Sequence, residues 1–536
     1  MIWFETPCSL RSATRVFQES NNPVQNLKAI LIRKMGLNSL LRLGSLLTGF
    51  ALDAAILAFY GIGFKTDAFL WAFTLPRMLC GLLESRAQQV LVPTFNGLIN
   101  SSDKQGVEVI SRLIGFSMLA LLAVSLGGSI ASGSLIPILA PGLSGNDLVL
   151  PVSLSRIFFL MVFFRGSGAF FQAILFARLK YAVASSSGLV TNIVALIVVL
   201  IWNTRFGIYS VALGYVLGSA VAWSMSAFAV GWFDLRIRPS IALADMRIYP
   251  HCRGLIYPAL DHGIGQAKVL IENVLASYFP SGSLSALRYA TRIIEAVSGL
   301  LGDGILTASL PLFSNCAAAK RIEDSKAVLT WSIKLLFIIC VPVCLYILFC
   351  SQDLLNLLYK RGRFTSEDVH AVSILMTMLV PYLVLARLTT IMQLPFYADF
   401  QFRVPLMVTA IASVVYGVSA TVLRGMGVYS FPVAGWISSS LNVILLTYLF
   451  TRSFGGLEFF RLTKFACRFA VVCCFTAFGL WAGVSIPHPF SRNDFFAAGL
   501  TLFFAGSLGG LAFLVGSRLF GFLSPRKLVG VLLKEA

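Results

Sequence analysis

The sequence predicts an all-α membrane protein with about fourteen transmembrane helices, arranged as two six-helix lobes followed by two further C-terminal helices. Three observations support this fold class. Of the 536 residues, 57% are hydrophobic and only 12% are charged, whereas soluble domains carry about 25% charged residues. The apolar residues form continuous runs of about 20 residues, which is the length an α-helix needs to cross a bilayer. Two of these apolar runs also contain the same short sequence pattern, which indicates an internal repeat.

The predicted spans follow one another closely and leave no room for a large soluble domain. The second, seventh and eighth spans are the most polar, so a simple hydropathy scan could miss them. The fourteen spans lie near residues 37–60, 67–95, 109–131, 149–176, 182–203, 208–233, 257–279, 284–314, 328–350, 369–394, 404–424, 429–451, 465–486 and 496–522.

The basic residues indicate the orientation of the chain in the membrane. The net charge is +19, but the charges are dispersed over short loops and form no patch for nucleic acid. Lysines and arginines in short loops mark the cytoplasmic side. With a cytoplasmic N-terminus, the outer loops hold only Lys65, Arg205, Lys360, Arg361, Arg363, Arg424 and Arg492. We therefore expect both termini to lie in the cytoplasm.

An internal repeat defines the predicted domains. Gly81-Leu82-Leu83 is followed after nine residues by Pro-x-Phe, and Gly299-Leu300-Leu301 is followed by the same motif at the same distance. The two copies lie six spans apart, which suggests a parallel repeat of two six-helix halves, as in several transporters. We predict a polar N-terminal segment, an N-lobe, a C-lobe, and a final pair of helices with a tail. These domains comprise residues 1–36, 37–235, 236–452 and 453–536.

Residues 1–36 are polar and have no apolar signal-peptide core. They are expected to be a cytoplasmic tail, or alternatively translation begins at Met35. The cysteines and histidines form no metal-binding pattern, and no nucleophile motif, P-loop or dinucleotide fingerprint is present. The sequence therefore predicts neither an enzyme nor a cofactor.

Several spans carry charges that a lipid-facing helix would not tolerate. A charge at the bilayer centre costs at least about 2.5–3.5 kcal/mol, so such residues usually face a bundle interior or a watery cavity. Arg77 and Glu84 lie seven residues apart, and this spacing places them on one helix face. In the eighth span, Arg288, Arg292 and Glu295 also share a face.

Ion pairing alone does not account for this set of charges. We expect Lys268 and Glu272 to form a structural pair, because they are four residues apart on one helix. In the first four spans, however, arginines outnumber acids. The arginines of these spans are Arg42, Arg77, Arg86, Arg112, Arg156 and Arg165, and the acids are Asp53, Asp67 and Glu84. Unpaired arginines facing a cavity favour an anionic ligand, and the planar guanidinium suits phosphate and pyrophosphate.

Four stretches resemble the MurJ (MviN) family of lipid II flippases, which belongs to the superfamily of multidrug and oligosaccharide-lipid exporters. They are "GIGFKTDAF" followed by "AFTLPRML" and "VLVP", then "LAPG", "LASYFPSGSLSALRYATRIIEAVSGLLG" and "RGRFTSED". The similarity extends from about residue 37 to residue 405. It implies fourteen helices and transport by alternating access, with the pyrophosphate of lipid II held by arginines of a cationic cavity.

The chain departs from the family pattern at several charged positions. Leu52 stands where the family has an arginine before Asp53, and Cys80-Gly81 replace an arginine pair. Only Arg292 is in register with the family's cavity arginines, so arginines at nearby positions are expected to substitute. The predicted substrate-binding residues are Arg292, Arg77, Arg86, Arg42, Asp53, Asp67 and Glu295.

The resemblance implies a multi-pass protein of the bacterial inner membrane that flips lipid II during peptidoglycan synthesis. Membrane lipids and cell-wall synthesis proteins are the other expected partners. Two alternatives stay open at this point. One is another exporter of the superfamily, for drugs or a different oligosaccharide lipid, although the excess of arginines argues against a cationic substrate. The other is a membrane scaffold that recruits cell-wall enzymes without transporting a substrate.

Overall fold

The computed structural model describes residues 23–100, 104–232, 256–319, 321–456, 459–486 and 495–522. Within these ranges the regular structure is helical, and no strand is present. This confirms the predicted all-α membrane class. Long apolar helices are the stable form here, because a helix satisfies every backbone donor and acceptor within its own segment.

The described residues of the first half of the chain form seven α-helices and a π-helical segment. They are α1 (Pro23–Tyr60), α2 (Phe64–Gly81), the π-helical segment (Leu82–Ala87), α3 (Gln88–Asn100), α4 (Lys104–Leu139), α5 (Val149–Ala177), α6 (Tyr181–Phe206) and α7 (Tyr209–Trp232). Helix α2, the π-helical segment and α3 follow one another without a break, and together they form the polar second span.

In the second half, the part of the chain that the structure describes contains eight α-helices, of which the last two lie beyond the predicted repeat. They are α8 (Ile256–Ala276), α9 (Ser283–Ala318), α10 (Ile322–Leu358), α11 (Ser366–Ala398), α12 (Arg403–Val422), α13 (Ser430–Phe454), α14 (Phe459–Val484) and α15 (Phe495–Leu519). A short 3₁₀ segment, Leu423–Tyr429, joins α12 to α13.

Eleven stretches of the described chain are long and apolar enough to cross a membrane. One of them, Arg403–Phe454, is 52 residues long and contains both α12 and α13. The second and seventh predicted spans are not among the eleven, as expected from their charges, whereas the eighth is included. The chain is therefore a multi-pass membrane protein, and the count of fourteen spans stays a prediction.

Both copies of the predicted repeat lie in helical parts of the described chain. Gly299 follows Gly81 by 218 positions. One difference separates the copies, because α9 is a continuous α-helix where the first copy contains the π-helical segment. The structural similarity of the two halves stays a prediction.

The chain divides into two compact units. Unit 1 contains Ala68–Leu139 and Leu143–Gly263 together with the chain before Leu57, and unit 2 contains Ile264–Ala536 with the short segments Leu57–Asp67 and Ala140–Gly142. Each unit has its own apolar core. The largest side chains at these cores are Phe95, Phe170 and Phe171 in unit 1, and Phe313, Phe396 and Phe450 in unit 2. The predicted lobe limits at residues 235 and 452 stay predictions.

Candidate functional site

The π-helical segment lies where the second span carries its charges. Single π-helical turns are rare and often occur at functional sites. Because a π turn contains more residues than an α turn, the seven-residue spacing from Arg77 to Glu84 does not give a simple shared face. Arg77 is exposed, and its guanidinium carbon lies 5.9 Å from the centre of the Phe73 ring. Glu84 is partly buried and contacts α5 instead.

A bidentate ion pair joins Glu84 to Arg165 in unit 1. Arg165 Nε donates to Glu84 Oε1 at 2.6 Å, and Nη2 donates to Oε2 at 2.7 Å. About a quarter of each side chain is exposed. The sequence analysis counted Arg165 among the arginines that outnumber the acids of the first four spans, and the packing of α5 on the π-helical segment supplies it with an acid from a distant part of the sequence. Arg112 is likewise paired, with Glu108.

A small polar cavity of about 20 Å³ lies beside this ion pair. The indole nitrogen of Trp223, which lines the cavity, is buried and has no hydrogen-bond partner among the described protein atoms. The side chains that line the cavity come from the π-helical segment, α5, α6 and α7. They include Glu84, Arg165, Gln172, Ser187, Thr191, Ser219 and Trp223. The interior of unit 1 therefore holds charged and hydroxyl groups rather than a purely apolar core.

The other predicted site residues of unit 1 lie in different surroundings. Arg42 on α1 is exposed, and Asp53 on the same helix is partly buried and interacts with a neighbouring group. The backbone of Arg86 lies in the π-helical segment, but its side chain falls outside the described residues.

Asp67 is engaged in helix capping within unit 2. Its Oδ2 accepts a hydrogen bond from the Gly282 backbone nitrogen at 2.6 Å, and its Oδ1 accepts one from Ser285 at 2.7 Å. Both donors lie at the start of α9, where backbone N–H groups have no partner within the helix and the helix dipole favours a negative charge. The carboxylate, only 2% exposed, therefore stabilises the N-terminus of the polar eighth span.

The most extensive charge cluster of unit 2 centres on Glu272. The predicted Lys268–Glu272 pair is confirmed, with 3.7 Å between Nζ and Oε1. Arg288 Nη1 also donates to Glu272 Oε2 at 2.8 Å, and the Tyr416 hydroxyl donates to Oε1 at 2.7 Å. The Lys268 ammonium lies 3.7 Å from the centre of the Tyr382 ring and 5.1 Å from that of Tyr416.

Arg292, the arginine in register with the family motif, is partly buried on α9 and interacts with a neighbouring group. Glu295, one turn further along, is exposed. Arg288 belongs to the same predicted face, but the structure directs its guanidinium to Glu272. Arg387, which the sequence analysis did not select, donates to the Ser298 hydroxyl through Nε.

Two glycines in the motifs that carry the family resemblance permit close backbone contacts. A Cβ atom at Gly142 in "LAPG" would lie 2.3 Å from the Ser277 carbonyl oxygen. A Cβ atom at Gly362, which has a φ of +58°, would lie 2.3 Å from the carbonyl oxygen of Ala58. Such distances exclude a side chain, so these positions require glycine.

The motif "FTSED" ends a loop and begins α11. Thr365 and Asp368 form a reciprocal capping box at its N-terminus. This capping box, Asp67 and the two glycines show that many residues of the family motifs form the ends of helices.

Sequence reasoning missed the tyrosines of the Glu272 cluster. Tyr382 and Tyr416 lie in apolar runs of α11 and α12 and follow no motif, so nothing in the spacing indicated them. A tyrosine within a span does carry a hydroxyl that needs a partner when buried, and this is the signal that could have found Tyr416. Among the described residues, no group of three His, Cys, Asp or Glu side chains could hold a metal ion.

A multi-pass, all-α membrane protein with ion pairs inside its helices has the features of a membrane transporter. The solved inward-facing structure of a multidrug resistance MATE family transporter of the MOP superfamily is similar in fold. It has a TM-score of 0.63 at 15% identity, and the match covers 76% of this chain and 94% of that one.

The chain belongs to the MurJ family, since the family model described as "Lipid II flippase MurJ" matches residues 56–500. A solved structure titled "Lipid II flippase MurJ, inward closed conformation" has a TM-score of 0.75 at 19% identity and covers 90% of this chain and 98% of that one. A probable lipid II flippase MurJ of Rhizobium meliloti is 26% identical over 517 residues, which are 89% of this chain and 94% of that protein. The resemblance read from the motifs is confirmed, and the family is one of transporters rather than enzymes.

Proposed function

We propose that this chain flips lipid II from the inner to the outer leaflet of the bacterial cytoplasmic membrane. The observation that carries the proposal is the family match over residues 56–500. The polar second and eighth spans support it, because charges inside a bilayer normally line a path for a polar substrate. The pyrophosphate of the substrate is the group that arginine binds best, through two parallel charge-assisted hydrogen bonds.

The proposed mechanism is alternating access through a cationic cavity. Arg292, Arg77, Arg86 and Arg42 would contact the pyrophosphate or sugars. The acids Asp53 and Glu295 would orient arginines or sugar hydroxyls. Arg292 is the strongest candidate, because it is in register with the family motif and its side chain is only partly buried. Asp67 would act indirectly, through the helix start that it caps.

The two proposed six-helix lobes, residues 37–235 and 236–452, would move against each other during the cycle, and the lipid tail would run along a groove near α14 and α15. We also propose that both termini lie in the cytoplasm, as the distribution of basic residues predicts. Surrounding lipids and cell-wall synthesis proteins are proposed partners.

A transport assay separates this function from its alternatives. Purified protein in liposomes should move labelled lipid II, whereas a scaffold would move none. An exporter of a different substrate would also leave the label in place, although its gene could still be essential. In bacteria depleted of their own flippase, the intact gene should restore growth. Failure in both assays would overturn the proposal.

Arg292 provides the sharpest test of the site. Loss of one charge-assisted hydrogen bond costs about 1.5–3 kcal/mol, so Arg292→Ala should weaken lipid II binding by roughly tenfold to a hundredfold. Arg292→Lys should recover only part, because an ammonium lacks the planar fork. Arg452→Ala is the control, since Arg452 is exposed at the end of α13. Normal binding with a lowered melting temperature for Arg292→Ala would assign the residue a structural role.

A further inference from the structure

The Lys268 ammonium is held in an unusual environment for a lysine inside a membrane span. The groups around it include the Tyr382 ring, with its centre 3.7 Å from Nζ, the Glu272 carboxylate at 3.7 Å and the Tyr416 ring at 5.1 Å. Aromatic faces and one carboxylate are the groups by which proteins recognise alkylammonium ligands, because the ring quadrupole attracts a cation that has lost its water.

The walls of this site are fixed by contacts other than those to the lysine. Tyr416 is 2% exposed, and its hydroxyl donates to Glu272 Oε1 at 2.7 Å. The other carboxylate oxygen accepts from Arg288 Nη1 at 2.8 Å, and Arg288 Nη2 donates to the Val269 carbonyl oxygen at 3.3 Å. The carboxylate and the Tyr416 ring should therefore keep their positions when the lysine side chain is shortened.

A second lysine of the same unit lies in different surroundings from those of Lys268. Lys334 on α10 lies 5.9 Å from a single ring, that of Phe465, and no ion pair to it is present among the described residues. Within the described residues, Lys334 thus has one cation–π contact. Lys334 is therefore the matched control.

We infer that Tyr382, Tyr416 and Glu272 form an alkylammonium-binding cage that the chain fills with its own Lys268 side chain. Removal of that side chain should open the cage to a free primary alkylammonium ion. In the native protein the tethered ammonium lies beside the glutamate that Arg288 also contacts, and it links α8 to α11 and α12. This inference is independent of lipid II, so its failure would leave the proposed flippase function untouched.

The test is rescue of Lys268→Ala by n-propylammonium, which supplies the atoms that the truncation removes. The purified variant should melt at a lower temperature than the native protein, and n-propylammonium should raise its Tm saturably. Half-saturation is expected at roughly millimolar concentration, because the ligand is very small. The native protein and Lys334→Ala should show no saturable shift. No shift for Lys268→Ala, or an equal shift for all three proteins, would overturn the inference.

Two further variants identify the walls of the cage. Lys268→Met removes the charge but fills the space, so it should not respond to n-propylammonium. Adding Tyr382→Leu to Lys268→Ala should weaken the rescue roughly 2- to 30-fold, the range of a cation–π contact, whereas adding Tyr382→Phe should preserve it. A response by Lys268→Met, or equal rescue with leucine and phenylalanine, would show that the ion acts elsewhere.

If Lys268→Ala cannot be purified, the native lysine can report on the cage. The rings should shield the Lys268 amine from an acetylating reagent. Tyr382→Leu should therefore raise acetylation of Lys268 relative to Lys334, as measured by mass spectrometry, and Tyr382→Phe should leave the ratio unchanged. A ratio unaffected by Tyr382→Leu would overturn the inference.

Discussion

Replacement of Asp67 by asparagine should destabilise unit 2. The carboxylate accepts hydrogen bonds from the backbone nitrogens of Gly282 and Ser285 at 2.6 and 2.7 Å. Asparagine keeps one acceptor oxygen and presents an NH₂ group to the other buried donor. The loss of one charge-assisted bond costs about 1.5–3 kcal/mol, and the loss of the interaction with the helix dipole adds about 0.3–1 kcal/mol. We expect Asp67→Asn to lower the free energy of unfolding by about 2–4 kcal/mol.

Buried cysteines allow this loss to be measured within unit 2. Cys340 and Cys344 on α10 are buried, so a thiol reagent reaches them only on unfolding. Their alkylation midpoint in a denaturant titration, followed by mass spectrometry, should fall for Asp67→Asn. Asp399→Asn is the control, because Asp399 is exposed and accepts only from Gln401; its effect should stay below about 0.5 kcal/mol. An unchanged midpoint for Asp67→Asn, or equal losses in both variants, would refute the capping argument.

Three further substitutions test other contacts by the same unfolding assay. Arg165→Ala should cost about 3–5 kcal/mol, because it leaves a partly buried carboxylate unpaired. Since Arg165 lies in unit 1, this loss is followed at Cys80, which is buried on α2 of the same unit; a loss below about 1 kcal/mol would contradict this role. Gly142→Ala should destabilise unit 2 because its Cβ atom would strike a backbone oxygen. Gly510→Ala on α15 of the same unit, with nothing within 4 Å of the added Cβ, should be neutral or stabilising by up to about 1 kcal/mol; similar effects of the two substitutions would contradict the close approach. Tyr416→Phe should cost about 1.5–3 kcal/mol, because it removes a donor to the Glu272 carboxylate, and an unchanged midpoint would count against that hydrogen bond.

The sequence by itself determined the class of the protein, the repeat pattern and the family. These features are local, since a helix long enough to cross a bilayer is visible as a run of apolar residues and a motif is visible as a spacing. The Lys268–Glu272 pair was predictable for the same reason, because residues four apart meet on one helix. The charges of the second span also showed that it could not simply face lipid.

The tertiary structure decided which of those charges are engaged and with what. Arg165 meets Glu84, and Tyr416 meets Glu272, across many residues of sequence, and Asp67 caps a helix that begins over two hundred positions later. No periodicity encodes such contacts, because they depend on which helix faces pack together. The π-helical segment could not be predicted from the sequence either. One extra residue in a helical turn changes the direction in which the following side chains point, but it leaves the composition of the segment unchanged. A sequence therefore shows that a span contains a charged residue, but only the packing of the helices determines which residue pairs with it.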